Sequence, residues 1–276
     1  MSQTPDISSE KTLFDVLRDV WRAKVYMAVC AVFSMILAFV FINTANPFYR
    51  AEMILAPAIP MGQGLHMSSS ISEGSGQVQP NDLQNSAAFL RFEHIYDGAS
   101  VASILMNDDK VLESLAFDRP FTLSSVEKQW NAQSLSEYLQ KRVRLEPVSG
   151  SPLRKLTYYH PNKDFSITMI TRIHRIADEI IRARILREVS ERIIYLNNAL
   201  STVSNPDHRR NLAELLMEQE RLKMMVSLDQ PFAASIVEPA SVSAHPKWPD
   251  SYLIYPIFLC VGLLLGFIIH GMRRHG

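Results

Sequence analysis

The chain has 276 residues with a formal net charge of +0 at pH 7, of which 47% are hydrophobic and 20% are charged. This balance provides no basic surface for nucleic acid, and both cysteines lie inside long apolar runs, which excludes a disulfide framework for the polar residues between them. Two uncharged stretches of about 18 residues, residues 25–42 and 252–269, are close to the roughly 20 residues that a membrane-spanning helix needs.

Residues 1–24 are predicted to form an amphipathic cytoplasmic segment that enters the first span, residues 25–42. Trp21 is expected near the membrane interface, and Arg22 belongs to a basic cluster at the entry to the span. Arg273 and Arg274 follow the second span, so the positive-inside rule places both termini in the cytoplasm. The first span is too long for a signal-peptide core and lacks a good cleavage site, which favours retention over cleavage.

The central domain, residues 43–251, is then extracytoplasmic, which in a bacterium means periplasmic or on the outer surface. Alternating apolar residues predict strands over residues 48–57, 142–147, 153–159 and 234–238, with a turn at residues 148–151. Helical spacing predicts short helices within residues 86–115 and 135–139. Residues 59–85 lack a period and are predicted to be a flexible loop. The expected fold class is an α+β membrane protein with a small membrane-proximal sheet.

A long helical arm is predicted over residues 164–228, and its first helix, residues 164–203, is expected to be exposed and rich in salt bridges. Asn205 and Pro206 stop this helix and start a second one, because Asn caps helices and Pro is favoured at their first position. The second helix is either an antiparallel return or a kinked continuation. On the first helix, four pairs of oppositely charged residues have the i, i+4 spacing that allows salt bridges: Asp178/Arg182, Arg184/Glu188, Arg187/Glu191 and Glu188/Arg192.

The C-terminal stretch combines prolines with a pair of glycines. Pro239, Pro246 and Pro249 remove backbone donors and are expected to hold the approach to the second span extended, whereas Pro256 lies within its first turns. Gly262 and Gly266 form a small-x-x-x-small motif, which allows two helices to approach closely. Residues 270–276 are the predicted cytoplasmic tail.

Searches for catalytic, nucleotide-binding and metal-binding motifs found none, and the histidines lack metal-ligand spacing. The sequence therefore predicts neither an enzyme nor a cofactor or a metal site. The arginines of the long helix are interpreted as a solvated face rather than as a site for an anionic ligand.

Several short segments resemble the Wzz chain-length determinant family, the polysaccharide co-polymerases. They are residues 13–24 before the first span, Tyr49-Arg50-Ala51 at the first strand, His160-Pro161-Asn162 before the long helix, and Glu238-Pro239-Ala240 with Pro246 and Pro249. At both ends of the chain the resemblance rests on these short segments. In the middle it rests on the order of the predicted elements. The proline run is sparser than the repeated P-x-x-P pattern of many members, which leaves the subclass open.

The resemblance implies a bacterial inner-membrane protein that assembles as a ring-like homo-oligomer and sets the chain length of O-antigen, capsule or exopolysaccharide. Such a protein acts without chemistry of its own, together with a membrane polymerase or export machinery and with the polysaccharide itself. Two alternatives stay open from the residues: a two-span periplasmic sensor or accessory scaffold with a separate signalling partner, and a membrane-anchored enzyme with a dispersed active site.

Overall fold

The computed structural model of the chain describes residues 13–58, 80–121 and 129–275. The chain divides into two compact units, which are named here by their contents. The helix-pair unit comprises Met1–Pro47, Arg119–Ser124 and Pro246–Gly276, and the sheet unit comprises Phe48–Asp118 and Ser125–His245. Their elements, in chain order, are α1 (Leu13–Thr44), β1 (Tyr49–Pro57), α2 (Pro80–Ile95), α3 (Ala99–Leu105), α4 (Asp109–Ala116), α5 (Ala132–Arg142), β2 (Val143–Pro147), β3 (Arg154–His160), α6 (Lys163–Thr202), α7 (Pro206–Ser227), β4 (Ala234–Val242) and α8 (Ser251–His275).

The helix-pair unit is built on α1 and α8, which pack against each other. Both helices contain a window that is long and apolar enough to cross a membrane, Lys24–Thr44 with 21 residues and Ser251–Met272 with 22 residues. Most of the apolar side chains in these windows are exposed, which distinguishes them from the core helices of a soluble domain. The two apolar helices that the sequence predicts are therefore present at the two ends of the chain.

The sheet unit contains one four-stranded antiparallel sheet with the order β2-β3-β1-β4. β2 and β3 form the predicted hairpin, whose turn contains Gly150 with φ of 74°, a left-handed conformation that favours glycine. In β1, Ala51, Met53 and Leu55 are buried and alternate with less buried residues, as expected for a strand with one face on the core. The small sheet predicted from alternation is confirmed.

Helix α6 supplies the other half of the core, and the prediction that this helix is exposed is wrong for most of its length. It packs against β1, β3 and β4 through a buried stripe that includes Met169, Ile173, Ala177 and Ile181. The stripe was visible in the sequence, but charged residues on the opposite face suggested an isolated arm. Because those charges cover the solvent side of the helix, they are compatible with a core position on the other side.

Helices α6 and α7 form an antiparallel pair, named here the helical hairpin. The guanidinium of Arg182, in the middle of α6, donates to the carbonyl of Leu228, which directly follows α7, and to that of Gln230. The end of α7 therefore returns to the middle of α6, which selects the antiparallel return over the kinked continuation. At the connection, Asn205 Oδ1 accepts from the Asp207 amide at 3.0 Å and Pro206 occupies the first turn, as predicted.

The predicted loop over residues 59–85 extends too far, because α2 already begins at Pro80. Residues 59–79 and 1–12 lie outside the described residues, so the remainder of the loop prediction and the start of the N-terminal segment are not addressed by the structure. Asp108 caps α4, since its carboxylate accepts from the Lys110 amide at 3.1 Å.

Candidate functional site: helix pair, proline segment and helical hairpin

Gly262 and Gly266 lie on the face of α8 that contacts α1. A Cβ atom added at Gly266 would lie 2.5 Å from Met27 Cα, and one added at Gly262 would lie 2.8 Å from Ser34 Cβ and 2.9 Å from Ala31 Cα. These separations are shorter than van der Waals contact, so the two backbones pass each other at a distance that only glycine permits. The glycine motif therefore serves packing between two helices of the same chain.

The part of α1 that faces Gly262 is made of small side chains, which were not predicted as a contact surface from the sequence. Ser34 and Ala38 are buried, and Cys30 and Ala31 lie beside Gly262. Ser34 Oγ also donates to the carbonyl of Phe258 at 2.5 Å, a contact between the two helices. The available signal was the spacing of Ala31, Ser34 and Ala38, which are three, four or seven residues apart and share one face of a helix.

Pro239 lies in β4, an edge strand of the sheet, at a point where the pairing is irregular. β1 pairs Glu52 with Ser241 and Ile54 with Glu238, so β4 contains one more residue than β1 in this interval. Such a bulge on an edge strand tolerates proline, because its missing amide removes no ladder hydrogen bond. Pro239 also blunts the exposed edge against pairing with another strand.

The remaining residues singled out from the sequence lie in the helix-pair unit. Pro246 and Pro249 belong to the connection between β4 and α8, and the Trp248-Pro249 peptide bond is cis. Pro256 is inside α8, in its second turn. Trp21 and Arg22 are in α1, and their side chains are outside the described residues. The structure thus collects Pro246, Pro249, Pro256 and the glycines in one unit and places Pro239 in the other.

A buried polar network connects α4, α5 and β3 in the sheet unit. The hydroxyl groups of Tyr138 and Tyr158 are 2.9 Å apart, and Arg142 forms an ion pair with Asp118 at 3.2 Å. Burial raises the pKa of both tyrosines well above the usual range and lowers the pKa of the neighbouring His160. The two tyrosine hydroxyls are therefore neutral at pH 7 and lie within hydrogen-bond distance of each other in the core of the sheet unit.

His160 has both ring nitrogens engaged with backbone groups. Its Nδ1 accepts from the Asn162 amide at 3.0 Å, which leaves the proton on Nε2, and Nε2 donates to the Ser114 carbonyl at 3.2 Å. Asn162 in turn caps α6 through hydrogen bonds from the Asp164 and Phe165 amides. The His160-Pro161-Asn162 segment therefore joins β3, α4 and the start of α6.

The helical hairpin presents apolar side chains to solvent on both of its helices. Ile194 and Tyr195 of α6 and Met217 and Met224 of α7 are each more than 60% exposed. The predicted pair Asp178/Arg182 is an ion pair at 3.1 Å, whereas Glu188 contacts Arg91 of α2 at 3.9 Å. Within the described parts of the chain, no group of three potential metal ligands is found.

Among the comparisons with known proteins, the one with solved structures is informative. No protein-family model and no curated protein sequence matches the chain. Among solved structures, a full-length bacterial polysaccharide co-polymerase is similar over 96% of this chain and 98% of its own, with a TM-score of 0.50 and 15% sequence identity. At this identity the match concerns the fold: the chain has the fold of a full-length polysaccharide co-polymerase. The resemblance derived from the short segments is thereby confirmed at the level of fold.

Proposed function

We propose that this protein is an inner-membrane polysaccharide co-polymerase that regulates the chain length of O-antigen, capsule or exopolysaccharide. The observation that carries the proposal is the fold similarity, which extends over almost the full length of both chains rather than over one domain.

In this proposal α1 and α8 span the inner membrane, both termini are cytoplasmic, and the sheet unit is periplasmic. Arg22 and the basic C-terminal residues set the orientation, and Trp21 lies at the cytoplasmic interface. Pro246, Pro249 and Pro256 determine how the chain enters the second span. The strand that follows α1 and the strand that precedes α8 pair in one sheet, which ties the two ends of the periplasmic domain together.

The proposed mechanism is that of a scaffold. Copies of the chain assemble into a ring-like homo-oligomer, the packed spans position a membrane polymerase or an export system, and the helical hairpins delimit the space available to the growing polysaccharide. Gly262 and Gly266 contribute by fixing the distance between the spans of each copy. Replacing both by leucine is therefore expected to broaden the polymer length distribution; unchanged assembly and unchanged lengths would contradict the role of this contact.

The direct test is the size distribution of surface polysaccharides, separated by gel electrophoresis, from the source strain with the gene deleted and from the same strain complemented. A change from clustered to random lengths, or the loss of long chains, restored on complementation, is expected and identifies the polymer. Unchanged profiles of every surface glycan would contradict the proposal and favour a sensor or an accessory scaffold.

A further inference from the structure

A short segment of the chain between α4 and α5 packs within the helix-pair unit. The carbonyl of Pro120 accepts from the Asn46 amide at 3.0 Å, and the carbonyl of Arg119 accepts from Asn46 Nδ2 at 2.8 Å. Phe121 forms an isolated antiparallel bridge with Ala45. Asn46 thus donates hydrogen bonds to two consecutive carbonyls, and these bonds hold residues 119–121 next to the end of α1.

Phe121 completes an aromatic cluster with residues from both apolar helices and their flanks. Its ring lies 5.5 Å from that of Phe41 and 6.2 Å from that of Trp248, each in an edge-to-face arrangement. Phe41 and Trp248 are themselves 6.2 Å apart, and Phe41 also contacts Phe258 at 6.1 Å. Phe41, Phe121 and Trp248 come from three separate segments of the chain, and each ring contacts the other two. Such mutual contacts indicate a specific aromatic cluster rather than a chance contact.

The cluster lies at the end of the helix pair that is opposite to the chain termini. Phe41 is in the last turn of the Lys24–Thr44 window, and Trp248 precedes the Ser251–Met272 window by three residues. Tyr252, at the first turn of α8, is 94% exposed. Tryptophan and tyrosine at the ends of apolar spans are typical of the boundary between lipid tails and headgroups.

We infer that Arg119, Pro120 and Phe121 form a third membrane contact of this protein, in which the Phe121 ring enters the interfacial layer of the lipid bilayer beside the loop-side ends of both spans. The partner is the lipid surface because Phe121 is 36% exposed and its ring contacts Phe41 and Trp248, which lie at the loop-side ends of the two apolar helices. The inference rests on the proposal that α1 and α8 cross a membrane.

The test uses the full chain in lipid vesicles, with a single tryptophan as reporter and phosphatidylcholine brominated in the upper part of its acyl chains as quencher. Trp21, Trp130 and Trp248 are replaced by phenylalanine, and Phe121→Trp, Phe39→Trp or Tyr195→Trp is introduced. Phe39 is an exposed residue of the first apolar window, and Tyr195 is an exposed residue of the helical hairpin. We expect severalfold stronger quenching for Phe121→Trp than for Tyr195→Trp, at a level comparable to Phe39→Trp.

The controls separate this inference from the proposed membrane spans. If Phe39→Trp is quenched and Phe121→Trp behaves like Tyr195→Trp, the proposed membrane contact of Phe121 is wrong, whereas the proposal that α1 and α8 span the membrane is supported. If Phe39→Trp is not quenched either, the spans and the contact both fail.

A second readout avoids a bulky residue at the cluster. In the Cys30→Ala, Cys260→Ala chain, Phe121→Cys should react severalfold more slowly with a membrane-impermeant maleimide in vesicles than in detergent after dilution of the lipid. Tyr195→Cys should react at the same rate in both. Equal rates for Phe121→Cys in the two conditions would overturn the inference.

Discussion

Asp178 stabilises the connection between α7 and β4 from a buried position on α6. Its Oδ1 accepts from the amides of Phe232 and Ala233 at 2.9 Å and 2.6 Å, and its Oδ2 accepts from Arg182 at 3.1 Å. The carboxylate therefore pairs two backbone donors that would otherwise be buried without partners. Each such unpaired donor costs about 1–3 kcal/mol.

We predict that Asp178→Ala lowers the free energy of unfolding by about 3 kcal/mol, because it leaves both amides unpaired. Asp178→Asn should cost less, since its amide oxygen still accepts from the backbone while the ion pair with Arg182 is lost. The measurement is chemical unfolding of the full chain in detergent, followed by circular dichroism. Glu179→Ala, at an exposed neighbour on the same helix, is the control, and a loss for this variant equal to that for Asp178→Ala would contradict the assignment.

His160 and His174 make the stability of the sheet unit dependent on pH. Both are buried, and desolvation lowers their pKa below the ordinary value of 6.5. The unfolded chain therefore binds protons in a pH range where the folded chain does not, so stability is complete above about pH 6.5 and falls as the pH decreases below it. His160 faces Asp118, which opposes the shift, and Arg142, which adds to it.

We predict that the unfolding midpoint in denaturant decreases from pH 7.5 to pH 5.5, and that His160→Asn makes this decrease smaller. Asparagine keeps an acceptor for the Asn162 amide but does not titrate, so the variant is expected to be less stable at neutral pH and less sensitive to acid. The same titration of His208→Gln, at an exposed position of α7, provides the control. A pH dependence that His160→Asn leaves unchanged would assign the effect to other groups.

At the scale of elements, the pairing of α1 with α8 depends on Gly262 and Gly266, which lie in the contact, whereas Gly271 lies outside it. A Cβ at Gly266 would meet the backbone of Met27, which cannot rotate away, whereas a Cβ at Gly271, further along α8, would meet nothing within 4 Å. The two positions share a helix and differ in whether a neighbour is present.

Gly266→Ala is predicted to destabilise the helix pair by about 1–3 kcal/mol, the usual cost of overpacking. Gly271→Ala should be neutral or stabilising by up to about 1 kcal/mol, because alanine favours the helix. Thermal unfolding of both variants in the same detergent compares the two effects. Equal midpoints for both variants would show that the close approach of the helices does not limit stability.

Elements that depend on local patterns were predictable, and their partners were not. The Asn205-Pro206 break, the hairpin turn at Gly150 and the glycine motif of α8 each reflect a preference within a few residues. By contrast, Phe121 contacts residues about 80 and 130 positions away in the sequence, and no period or motif encodes such a contact. The burial of α6 was missed for the same reason, because it depends on a sheet whose strands come from both sides of α6 in the sequence.

On the scale of the whole molecule, the helical hairpin presents apolar side chains that the described parts of the chain leave exposed. Each of Ile194, Tyr195 and Met217 is more than 60% exposed. Their removal should therefore cost the isolated chain little, since most of their surface is already exposed. In the proposed homo-oligomer the same side chains are expected to lie against a neighbouring copy, where each would bury apolar surface.

We predict that the variant Ile194→Ser, Tyr195→Ser, Met217→Ser shifts the oligomer of the detergent-solubilised chain to smaller species while its helix content stays unchanged. Light scattering coupled to size-exclusion chromatography gives the mass, and far-ultraviolet circular dichroism gives the helix content. Arg187→Ser with Glu218→Ser, which changes exposed charged positions of the same two helices, is the matched control and should leave the mass unchanged. An unchanged mass for the apolar variant would locate the contacts between copies outside the hairpin, while a loss of helix content would assign these side chains to the folding of the single chain.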